Sequence, residues 1–524
     1  MIDINSVYVL KFKCYISRKA KKESTMQNDL LKYKSGSDIR GTAAEGVEGQ
    51  PIELTNERVS RMAKGFYLWL SKRNQGKKLK ISVGHDSRIS APRLSECVKT
   101  ALKECGANVI FTGLSSTPAM FMTTQLLDCD GAIQLTASHH PFNKNGLKFF
   151  CKNGGLEGSD ITEILTYAFE NNFENGDGSI ENVEFMTTYS QVLVDFVRKE
   201  TGKEKPLEGF KVVVDAGNGA GGFYVDDVLK PLGADTEGSQ FLDPDGRFPN
   251  HIPNPENPVA MKFICDKVKL VNADFGIIFD TDVDRAGAVD DLGEEINRNK
   301  LIALISAILL EEKSGAYIVT DSITSDGLKE FIEQKGGVHF RFKRGYKNVI
   351  NQAIKLNNEG KYCPLAIETS GHAALKENYF LDDGAYLVTR LLVKMAKLKD
   401  QGKKLRDLIS DLKLPLKSDE IRMGFKPDVD FKEYGKQVLT DLEQYAVDNG
   451  WQIAPSNYEG IRISFGANDG DGWFLLRMSL HDPIMPLNIE SNKDGGTVEI
   501  AKKLYQVLNK YDGLDLVNLE KFIG

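Results

Sequence analysis

Short apolar runs alternate with amphipathic segments along most of the chain. The apolar runs are bounded by Gly, Asp or Pro, which is typical of strands buried in a parallel sheet. They lie at Lys80–Val83, Asn108–Thr112, Gly131–Leu135, Lys211–Asp215, Phe275–Phe279 and Tyr317–Thr320. Helical patterns fall between them, at Arg58–Arg73, Arg93–Glu104 and Leu301–Glu312. This alternation predicts α/β layers.

The C-terminal part has a different pattern. Three strand-like runs, Ile461–Phe465, Trp473–Ser479 and Pro486–Glu490, follow one another before a single helical stretch at Thr497–Tyr511, which predicts an α+β unit. Breaks in the polar stretch Glu170–Asn182, near Leu292 and in the charged stretch Lys397–Lys404 suggest the domain limits. The predicted parts are an N-terminal extension at 1–29, α/β domains at 30–182, 183–293 and 294–410, and an α+β domain at 411–524.

No part of the sequence predicts a membrane span. The longest strongly apolar run, Leu301–Leu310, has ten residues, whereas a spanning helix needs roughly 20. We interpret Met1–Ser24 as an extension that contributes little to the fold, and our hypothesis is that translation begins at Met26.

Composition narrows the classes of function. The 524 residues include 67 Lys and Arg against 74 Asp and Glu, which gives a net charge of −7, and 41% of them are hydrophobic. The hydrophobic fraction excludes a disordered chain, and the mild acidity argues against a nucleic-acid binder. An anionic ligand would need cations concentrated at one site. The seven cysteines are scattered and form no Cys-x-x-Cys pair, which favours reduced thiols in a cytoplasmic protein.

The first candidate motif is Thr136–Pro141, which follows an apolar strand and precedes Asn145–Lys148. A serine just past a strand end, near polar and cationic groups, can act as a nucleophile, so Ser138 is a candidate. The alternative is an ordinary turn. A Ser-His-Asp hydrolase is not indicated, because the Gly-x-Ser-x-Gly elbow is absent.

The second motif is Phe279–Arg285, which carries Asp280, Asp282 and Asp284 after an apolar strand. If the chain bends into a loop, these carboxylates converge and supply the hard oxygen ligands that Mg²⁺ prefers. The alternatives are a solvated acidic turn and a phosphatase that uses the first aspartate as nucleophile. An EF-hand is excluded, because Arg285 stands where its loop needs Gly.

The third motif is glycine-rich and runs from Val214 to Gly222. Three of its glycines fit the G-x-G-x-x-G pattern, with Asp235 and Glu237 near the position of a ribose-binding acid. This leaves open a dinucleotide-binding dehydrogenase. The alternative is that the glycines let a helix pack closely on the sheet.

Two further loops suit a sugar phosphate. Glu368–His372 offers a carboxylate and a hydroxyl two positions apart, which suits neighbouring sugar hydroxyls. Arg477–Pro483 offers an arginine and a serine that could bind phosphate. Each has a structural alternative: the first could be an ordinary loop, and the second, taken alone, is better explained as a strand end that runs into a proline turn.

In this order, the motifs resemble those of the α-D-phosphohexomutase family, especially its bacterial phosphomannomutase/phosphoglucomutase branch. The resemblance covers about Lys34 to Leu508. It includes the early loops Ser37–Gly41 and Val83–Arg88 and the proline-rich stretch Asp243–Pro253.

The resemblance implies three α/β domains with mixed sheets, a C-terminal α+β domain and an active site in the central cleft. It implies a cytoplasmic isomerase that interconverts hexose 1-phosphate and hexose 6-phosphate of mannose, glucose or both. The reaction would use a phosphoserine, Mg²⁺ and a hexose 1,6-bisphosphate, which is both intermediate and activator. Hexose phosphates would be its small-molecule partners; nucleic acid and membrane are not expected, and protein partners are not predicted.

The resemblance also implies roles for particular residues. The catalytic residues would be Ser138, Lys148, His139 and Arg285. The metal ligands would be Ser138 through its phosphate, Asp280, Asp282 and Asp284. The substrate-binding residues would be Arg40, Tyr346, Lys347, Glu368, Ser370, Gly371, His372, Arg477, Ser479 and His481.

The chain departs from the family pattern at four places. His140 replaces an Asn, Leu480 and His481 replace Gly-Thr, Tyr346 and Lys347 replace His-Ser, and Asp321–Thr324 lacks a Lys that often reaches the sugar. Two other functions stay open at this point. One is an NAD(P)-dependent oxidoreductase that uses the Gly217–Gly222 loop, and the other is a non-catalytic sugar-phosphate binder.

Overall fold

The computed structural model describes residues 30–169, 173, 175–455, 457–479 and 482–524. The predicted N-terminal extension, including the hypothetical start at Met26, lies outside the described residues. The chain forms two compact units. The first extends to Glu295 and includes Asp383–Thr389, and the second comprises Ile296–Asp382 and Arg390–Gly524. Across the described ranges, no helix is long and apolar enough to cross a membrane.

An eight-stranded mixed sheet forms the N-terminal part of the first unit. Its strands are β1 Lys34–Ser35, β2 Asp38–Thr42, β3 Lys80–His85, β4 Asn108–Leu114, β5 Gly131–Leu135, β6 Lys144–Cys151, β7 Gly154–Gly155 and β8 Ser179–Asn182. The order is β1-β2-β6-β5-β3-β4-β8, with β7 paired to β6. Strands β5, β3, β4 and β8 are parallel to one another, whereas β6 is antiparallel to its neighbours β5 and β2. Its helices are Asn56–Arg73, Ala91–Glu104, Thr117–Leu126 and Gly158–Phe169.

The helices of this sheet follow their sequence patterns. The Thr55 side chain accepts a hydrogen bond from the Arg58 amide and so caps Asn56–Arg73, whose buried face includes Phe66 and Trp69. Strand β5 is buried along its whole length, as expected for a central parallel strand. The sheet therefore holds the end of β5 in a fixed position.

A four-stranded sheet follows in the first unit. Its strands are β9 Val212–Asp215, β10 Phe275–Phe279, β11 Ala286–Val289 and β12 Glu295–Ile296. The order is β12-β11-β10-β9, with β9 and β10 parallel and β10 and β11 antiparallel. Its helical segments are Met186–Thr201, the π-helical Tyr224–Leu229 and Pro258–Val271. The three aspartates of the second motif lie in the β10–β11 connection.

The second unit begins with a five-stranded mixed sheet. Its strands are β13 Tyr317–Thr320, β14 Val338–Arg341, β15 Leu365–Ile367, β16 Ala373–Leu375 and β17 Leu381–Asp382. The order is β14-β13-β15-β16-β17. Its helices are Asn299–Glu312, Asp326–Gln334 and Tyr346–Asn358, with 3₁₀ turns at Lys376–Asn378 and Leu405–Ile409. The helix Gly384–Lys399 belongs to the first unit as far as Thr389 and to the second unit from Arg390.

A six-stranded antiparallel sheet completes the second unit. Its strands are β18 Lys417–Phe425, β19 Gln452–Ile453, β20 Ile461–Phe465, β21 Gly472–Leu476, β22 Ile484–Ser491 and β23 Leu514–Asp515. The order is β19-β20-β21-β22-β18-β23. Its helices are Phe431–Asp448, Gly496–Leu508 and Val517–Ile523. The predicted fold class, three α/β parts and a C-terminal α+β part, is confirmed.

One predicted strand, Trp473–Ser479, extends beyond the end of the observed strand. Strand β21 stops at Leu476, so Arg477 and Ser479 lie in a loop. Met478 packs against the apolar core of the last sheet, so its hydrophobic character reflects core packing and not strand pairing. The exact domain limits stay a prediction.

Candidate active site

Ser138 lies in the connection between β5 and β6. It is 5% exposed, and its backbone is left-handed, with φ 49°. Its amide donates to the Thr136 hydroxyl at 2.9 Å. A left-handed non-glycine residue costs on the order of 1–3 kcal/mol and persists only where its surroundings hold it. The fold therefore presents this serine in an imposed orientation.

The Ser138 hydroxyl has charged neighbours from the β10–β11 connection. It donates to Asp280 Oδ2 at 3.2 Å and accepts from Arg285 Nη2 at 2.5 Å. His139 Nδ1 lies 3.2 Å from the same hydroxyl and also contacts Arg285 Nη2. The first unit thus brings together a serine and a carboxylate that are 142 positions apart in sequence.

The three aspartates form one buried cluster. Val283, with φ 68°, bends the chain between them, and each of Asp280, Asp282 and Asp284 offers an oxygen within 4.8 Å of the others. Burial raises the pKa of Asp280 and of Asp282, and the neighbouring carboxylates raise both further. In the part of the chain that the structure describes, Asp282 Oδ1 is buried without a hydrogen-bond partner. Buried like charges and an unsatisfied oxygen fit a hard divalent cation.

Cations surround this cluster. Lys148 Nζ donates to Asp284 Oδ2 at 2.6 Å. Burial disfavours the charge of Arg285, but the carboxylates of Asp280 and Asp284 outweigh it and raise the pKa of the guanidinium. Thr117, which the sequence analysis missed, donates its hydroxyl to Asp282 Oδ2.

Arg40 lies on the neighbouring strand. In the register of β2 and β6 it stands opposite Gly146, two positions from Lys148, and it donates to Asp38 Oδ2 at 2.9 Å. Burial and then the charges of Arg40 and Arg88 lower the pKa of His140 to about 4. Arg40, Arg88 and Arg285 thus act on one place in the first unit, and an acidic protein needs such a local concentration of cations for an anionic ligand.

Arg88 was not among the predicted site residues. It is 1% exposed, and its guanidinium donates to backbone carbonyls of the Ser138 loop. The only sequence signal is its place in the Val83–Arg88 motif, just past β3. A contact to main-chain carbonyls leaves no trace in the sequence of the loop that it holds.

The glycine-rich loop serves internal packing. A Cβ on Gly219 would lie 2.6 Å from Thr281 O, one on Gly221 would lie 2.9 Å from the Phe279 ring, and one on Gly222 would lie 2.4 Å from Leu242 O. Gly219 and Gly221 therefore allow close packing on β10 and the loop that follows it, and Gly222 allows close packing on the segment around Leu242. Nothing here supports the dinucleotide alternative.

In the second unit, Glu368 lies between β15 and β16 and is buried. Its Oε1 accepts from the Gly345 amide at 2.7 Å, and its carbonyl accepts from the Gly371 amide at 3.1 Å. Burial and then the charge of Asp321 raise the pKa of Glu368 to about 7. Ser370 lies in the same turn.

His372 lies between this turn and the start of β16. Its Nδ1 lies 2.6 Å from Asp382 Oδ2, and its ring stacks on Tyr346 with centroids 5.3 Å apart. Tyr346 and Lys347 begin the helix Tyr346–Asn358. The predicted sugar-binding residues of this unit therefore share one end of the five-stranded sheet.

Arg344 is a second residue that the sequence analysis missed. Its Nε lies 3.6 Å from Asp321 Oδ2, and that carboxylate also accepts from the Thr369 hydroxyl at 2.8 Å. Arg344 precedes Gly345, whose amide binds Glu368. It thus supplies a cation where the segment Asp321–Thr324 lacks the expected lysine.

Arg477 and Ser479 lie in the loop after β21. Arg477 Nε is 3.9 Å from Glu459 Oε1 and, among the described residues, has no hydrogen-bond partner. The Ser322 hydroxyl donates to the same Glu459 oxygen, and Ser322 follows Asp321 in sequence. The Ser479 amide donates to Ile484 O at 3.0 Å. This network connects the predicted phosphate loop to the predicted sugar loop; His481 lies outside the described residues.

Comparison with known proteins identifies the family. Three segments match the phosphoglucomutase/phosphomannomutase alpha/beta/alpha domains: residues 32–175 match domain I, residues 185–293 domain II and residues 297–414 domain III. A phosphomannomutase/phosphoglucomutase of Pseudomonas putida is 31% identical over 415 residues, which cover 79% of this chain and 84% of that protein. A phosphomannomutase of Vibrio cholerae is 27% identical over 491 residues, covering 91% and 98%.

Solved structures of phosphoglucomutases and phosphomannomutases are also similar to this chain. The crystal structure of a phosphoglucomutase/phosphomannomutase family protein from Burkholderia thailandensis has a TM-score of 0.75 and 27% identity and covers 91% of this chain and 97% of that one. Parafusin, a phosphoglucomutase of Paramecium, has a TM-score of 0.67 at 17% identity, covers 94% and 95%, and so supports the fold alone. The chain belongs to the phosphoglucomutase/phosphomannomutase family of α-D-phosphohexomutases.

Proposed function

We propose that this chain is a phosphohexomutase that interconverts the 1-phosphate and 6-phosphate of mannose, glucose or both. The relatives named phosphomannomutase/phosphoglucomutase support hexose phosphate mutase activity. The observation that carries the proposal is the contact of the Ser138 hydroxyl with Asp280 and Arg285 beside a buried cluster of three carboxylates. A non-catalytic sugar-phosphate binder would have no use for that serine.

Mg²⁺ is the proposed cofactor. Asp280, Asp282 and Asp284 would hold it, together with the phosphate carried by Ser138. When bound, the cation would neutralise charge on the phosphoryl group during transfer. The supporting observations are the shared reach of the three carboxylates and the unsatisfied oxygen of Asp282.

Ser138 would carry the phosphoryl group and give it to the free hydroxyl of a hexose monophosphate. The bond from phosphorus to the serine oxygen breaks and a bond from phosphorus to the sugar oxygen forms, while the sugar hydroxyl loses a proton and the departing serine oxygen gains one. Lys148 is the proposed proton-transfer group, and Arg285 and His139, which both contact the serine hydroxyl, would stabilise the transferring charge. The product is a hexose 1,6-bisphosphate. After it turns end for end, its other phosphate returns to Ser138.

Groups of the second unit would bind the parts of the substrate that do not react. Glu368, Ser370, Gly371 and His372 would contact sugar hydroxyls, with Tyr346 and Lys347 beside them. Arg477 and Ser479 would bind the distal phosphate, and His481 belongs to the same predicted loop. Arg40 would add positive charge near Lys148. Support comes from the buried carboxylate of Glu368 and from Arg477 Nε, which is buried and has no hydrogen-bond partner among the described residues.

The setting of the enzyme is also a proposal. We place it in the cytoplasm, because Cys105, Cys129 and Cys363 are buried free thiols, as in reducing compartments. Its partners would be hexose phosphates, with hexose 1,6-bisphosphate as activator, and we retain the domain limits 30–182, 183–293, 294–410 and 411–524 as proposed.

The test is an assay of the purified full chain on mannose, glucose and glucosamine phosphates with Mg²⁺ and a trace of bisphosphate. We expect turnover with mannose or glucose phosphate and an intact mass about 80 Da higher, the increment of one phosphate on Ser138. Ser138→Ala should abolish both while it leaves the circular dichroism spectrum unchanged. Normal turnover by Ser138→Ala would refute the phosphoserine.

A further inference from the structure

Arg88 makes an unusual set of contacts to the main chain. Its Nη1 donates to Pro141 O at 2.7 Å and to Lys144 O at 2.8 Å. Its Nη2 donates to His140 O at 2.7 Å and to Ser138 O. One buried guanidinium thus binds four carbonyls of the connection between β5 and β6.

Only arginine can make this arrangement. Its planar fork offers five donors in fixed directions, whereas lysine concentrates three donors on one nitrogen. An ammonium has three donors for these four carbonyls, so it would have to give up part of the set. Arg88 thus holds the loop in which the left-handed Ser138 lies.

Arg88 is itself held from two sides. Its amide donates to Asp86 Oδ1 at 2.9 Å, and its Nε lies 3.2 Å from Asp86 Oδ2. The Phe248 ring lies with its centroid 5.3 Å from the guanidinium carbon. A Cβ on Gly246 would come within 2.4 Å of the Ile89 amide nitrogen. The Asp243–Pro253 motif, to which the proposed reaction gives no task, thus packs against Arg88.

We propose that Arg88 is a positioning residue that sets the direction of the Ser138 hydroxyl toward Asp280 and Arg285. The inference rests on the proposed phosphoserine. Arg88 contacts no reacting atom of Ser138, so it acts through the loop backbone. A small displacement of a reacting group can cost about 10²-fold in rate. The groups proposed to bind sugar and distal phosphate lie elsewhere in the chain, so substrate binding should be spared.

The test compares Arg88→Lys with Arg93→Lys in the full chain. Arg93 is a matched control, because it donates to Ala43 O at 2.7 Å and to Leu54 O at 3.1 Å and touches no proposed site residue. We expect Arg88→Lys to lower kcat about 10²-fold while KM stays within about twofold. The rate at which Ser138 gains phosphate from glucose 1,6-bisphosphate, followed by intact mass, should fall by a similar factor. Arg93→Lys should match the wild type.

The outcomes separate the two proposals. If the wild type gains phosphate and Arg88→Lys keeps wild-type kcat, or changes only KM, the positioning role is wrong and the proposed function stands. If the wild type gains no phosphate, both proposals fall. If Arg88→Lys does not fold, Phe248→Leu decides, since it keeps the arginine but removes the ring beside it. A lower kcat at unchanged KM supports the inference, and an unchanged kcat overturns it.

Discussion

At the scale of single residues, the environment of Ser138 gives one hydroxyl its chemistry. The side chain is buried, its backbone is left-handed, and Arg285 and Asp280 both contact its oxygen. A neutral serine needs neither a guanidinium nor a carboxylate cluster beside it. A phosphorylated serine needs the first for its charge and can share a cation with the second.

Asp282→Asn should weaken the binding of the Mg²⁺ that turnover requires. The change removes a charge from the carboxylate cluster but keeps its size, so the concentration of Mg²⁺ for half-maximal rate should rise about tenfold or more. Asp290→Asn is the control, because Asp290 accepts from the Leu292 and Glu294 amides and lies outside the cluster. A magnesium titration of turnover measures both variants. An identical curve for Asp282→Asn and the wild type would count against the metal site.

Arg477→Ala should raise KM for hexose phosphate about 10-fold or more, because a charge-assisted bond to a phosphate that does not react contributes to binding. Steady-state kinetics measure it. Arg422→Ala is the control, since Arg422 lies in the same sheet with its side chain 67% exposed. A wild-type KM for Arg477→Ala would show that the loop binds no phosphate.

At the scale of elements, strand ends place the reactive groups. β5 and β10 are both buried along their whole length; Asp280 follows β10 directly, and Ser138 lies three positions after the end of β5. A buried strand is held by its neighbours on both edges and both faces, so the residues just past its end have little freedom. Polar residues just past the ends of these strands face the proposed site, because the packed core around the strands has no room for their side chains.

Strand β22 carries a carboxyl group with no proposed role in catalysis. Trp473 Nε1 donates to Glu490 Oε2 at 3.0 Å, and the Arg462 guanidinium lies 3.5 Å from the Trp473 ring centroid. Burial raises the pKa of Glu490 to about 7, although Arg462 and the Trp473 bond oppose the shift. The folded state thus binds this proton more tightly than the unfolded chain does.

Glu490 should therefore make stability depend on pH. Its stabilising contribution to the free energy of unfolding is complete below its ordinary pKa of 4.5 and is lost as the pH rises toward about 7. Above that value, the free energy of unfolding no longer changes with pH on account of this group. The loss is at most about 3.5 kcal/mol, at about 1.4 kcal/mol per pKa unit. Glu490→Gln cannot ionise, so its melting temperature relative to the wild type should rise between about pH 5.5 and about pH 8.

Thermal melts across that range measure the effect. Glu499→Gln is the control, because Glu499 lies on the helix Gly496–Leu508 and pairs with Lys493 with its side chain 36% exposed. Equal pH dependence in Glu490→Gln and the wild type would show that the carboxyl group of β22 titrates normally.

At the scale of the whole molecule, the two units carry different parts of the proposed chemistry. The serine and the carboxylate cluster belong to the first unit, and Glu368 and Arg477 belong to the second. Both sets contain buried charges within a chain of net charge −7. The cations proposed to bind phosphate are therefore a local property of each unit and not of the whole protein.

Removal of metal should separate turnover from binding. With EDTA we expect the mutase rate to fall about 10²-fold or more, because charge on the transferring phosphoryl group is no longer neutralised. Calorimetry should still detect hexose phosphate binding, since the groups proposed for it, apart from Arg40, lie in the second unit. Added Mg²⁺ should restore the rate. A rate that survives EDTA would contradict the metal requirement, and joint loss of rate and binding would contradict the division of roles.

Much of this could be predicted from the sequence. The strands at Gly131–Leu135, Phe275–Phe279 and Tyr317–Thr320 match β5, β10 and β13 residue for residue, because buried strands require continuous apolar runs. The predicted end of β21 was wrong, because Met478 is an apolar residue that packs against the core and does not belong to the strand. The proposed metal and serine loops were recognised because several chemically distinctive residues lie close together in sequence.

Arg88, Thr117 and Arg344 escaped recognition for a common reason. Each acts on groups far away in the chain: Arg88 contacts Ser138 O from 50 positions away, Thr117 contacts Asp282 from 165, and Arg344 lies beside Asp321. Nothing near these residues in sequence marks the partner.

The sequence by itself determined the kinds of element, the family and the residue types available for chemistry, since all three depend on local patterns of apolar and polar positions. Only the tertiary structure decided which residues meet. It brought the Ser138 hydroxyl to Asp280, set glycines of the Val214–Gly222 loop against β10, and gave Glu368 its raised pKa through burial. Distances, burial and electric fields depend on contacts between remote segments, and those contacts exist only after the chain has folded.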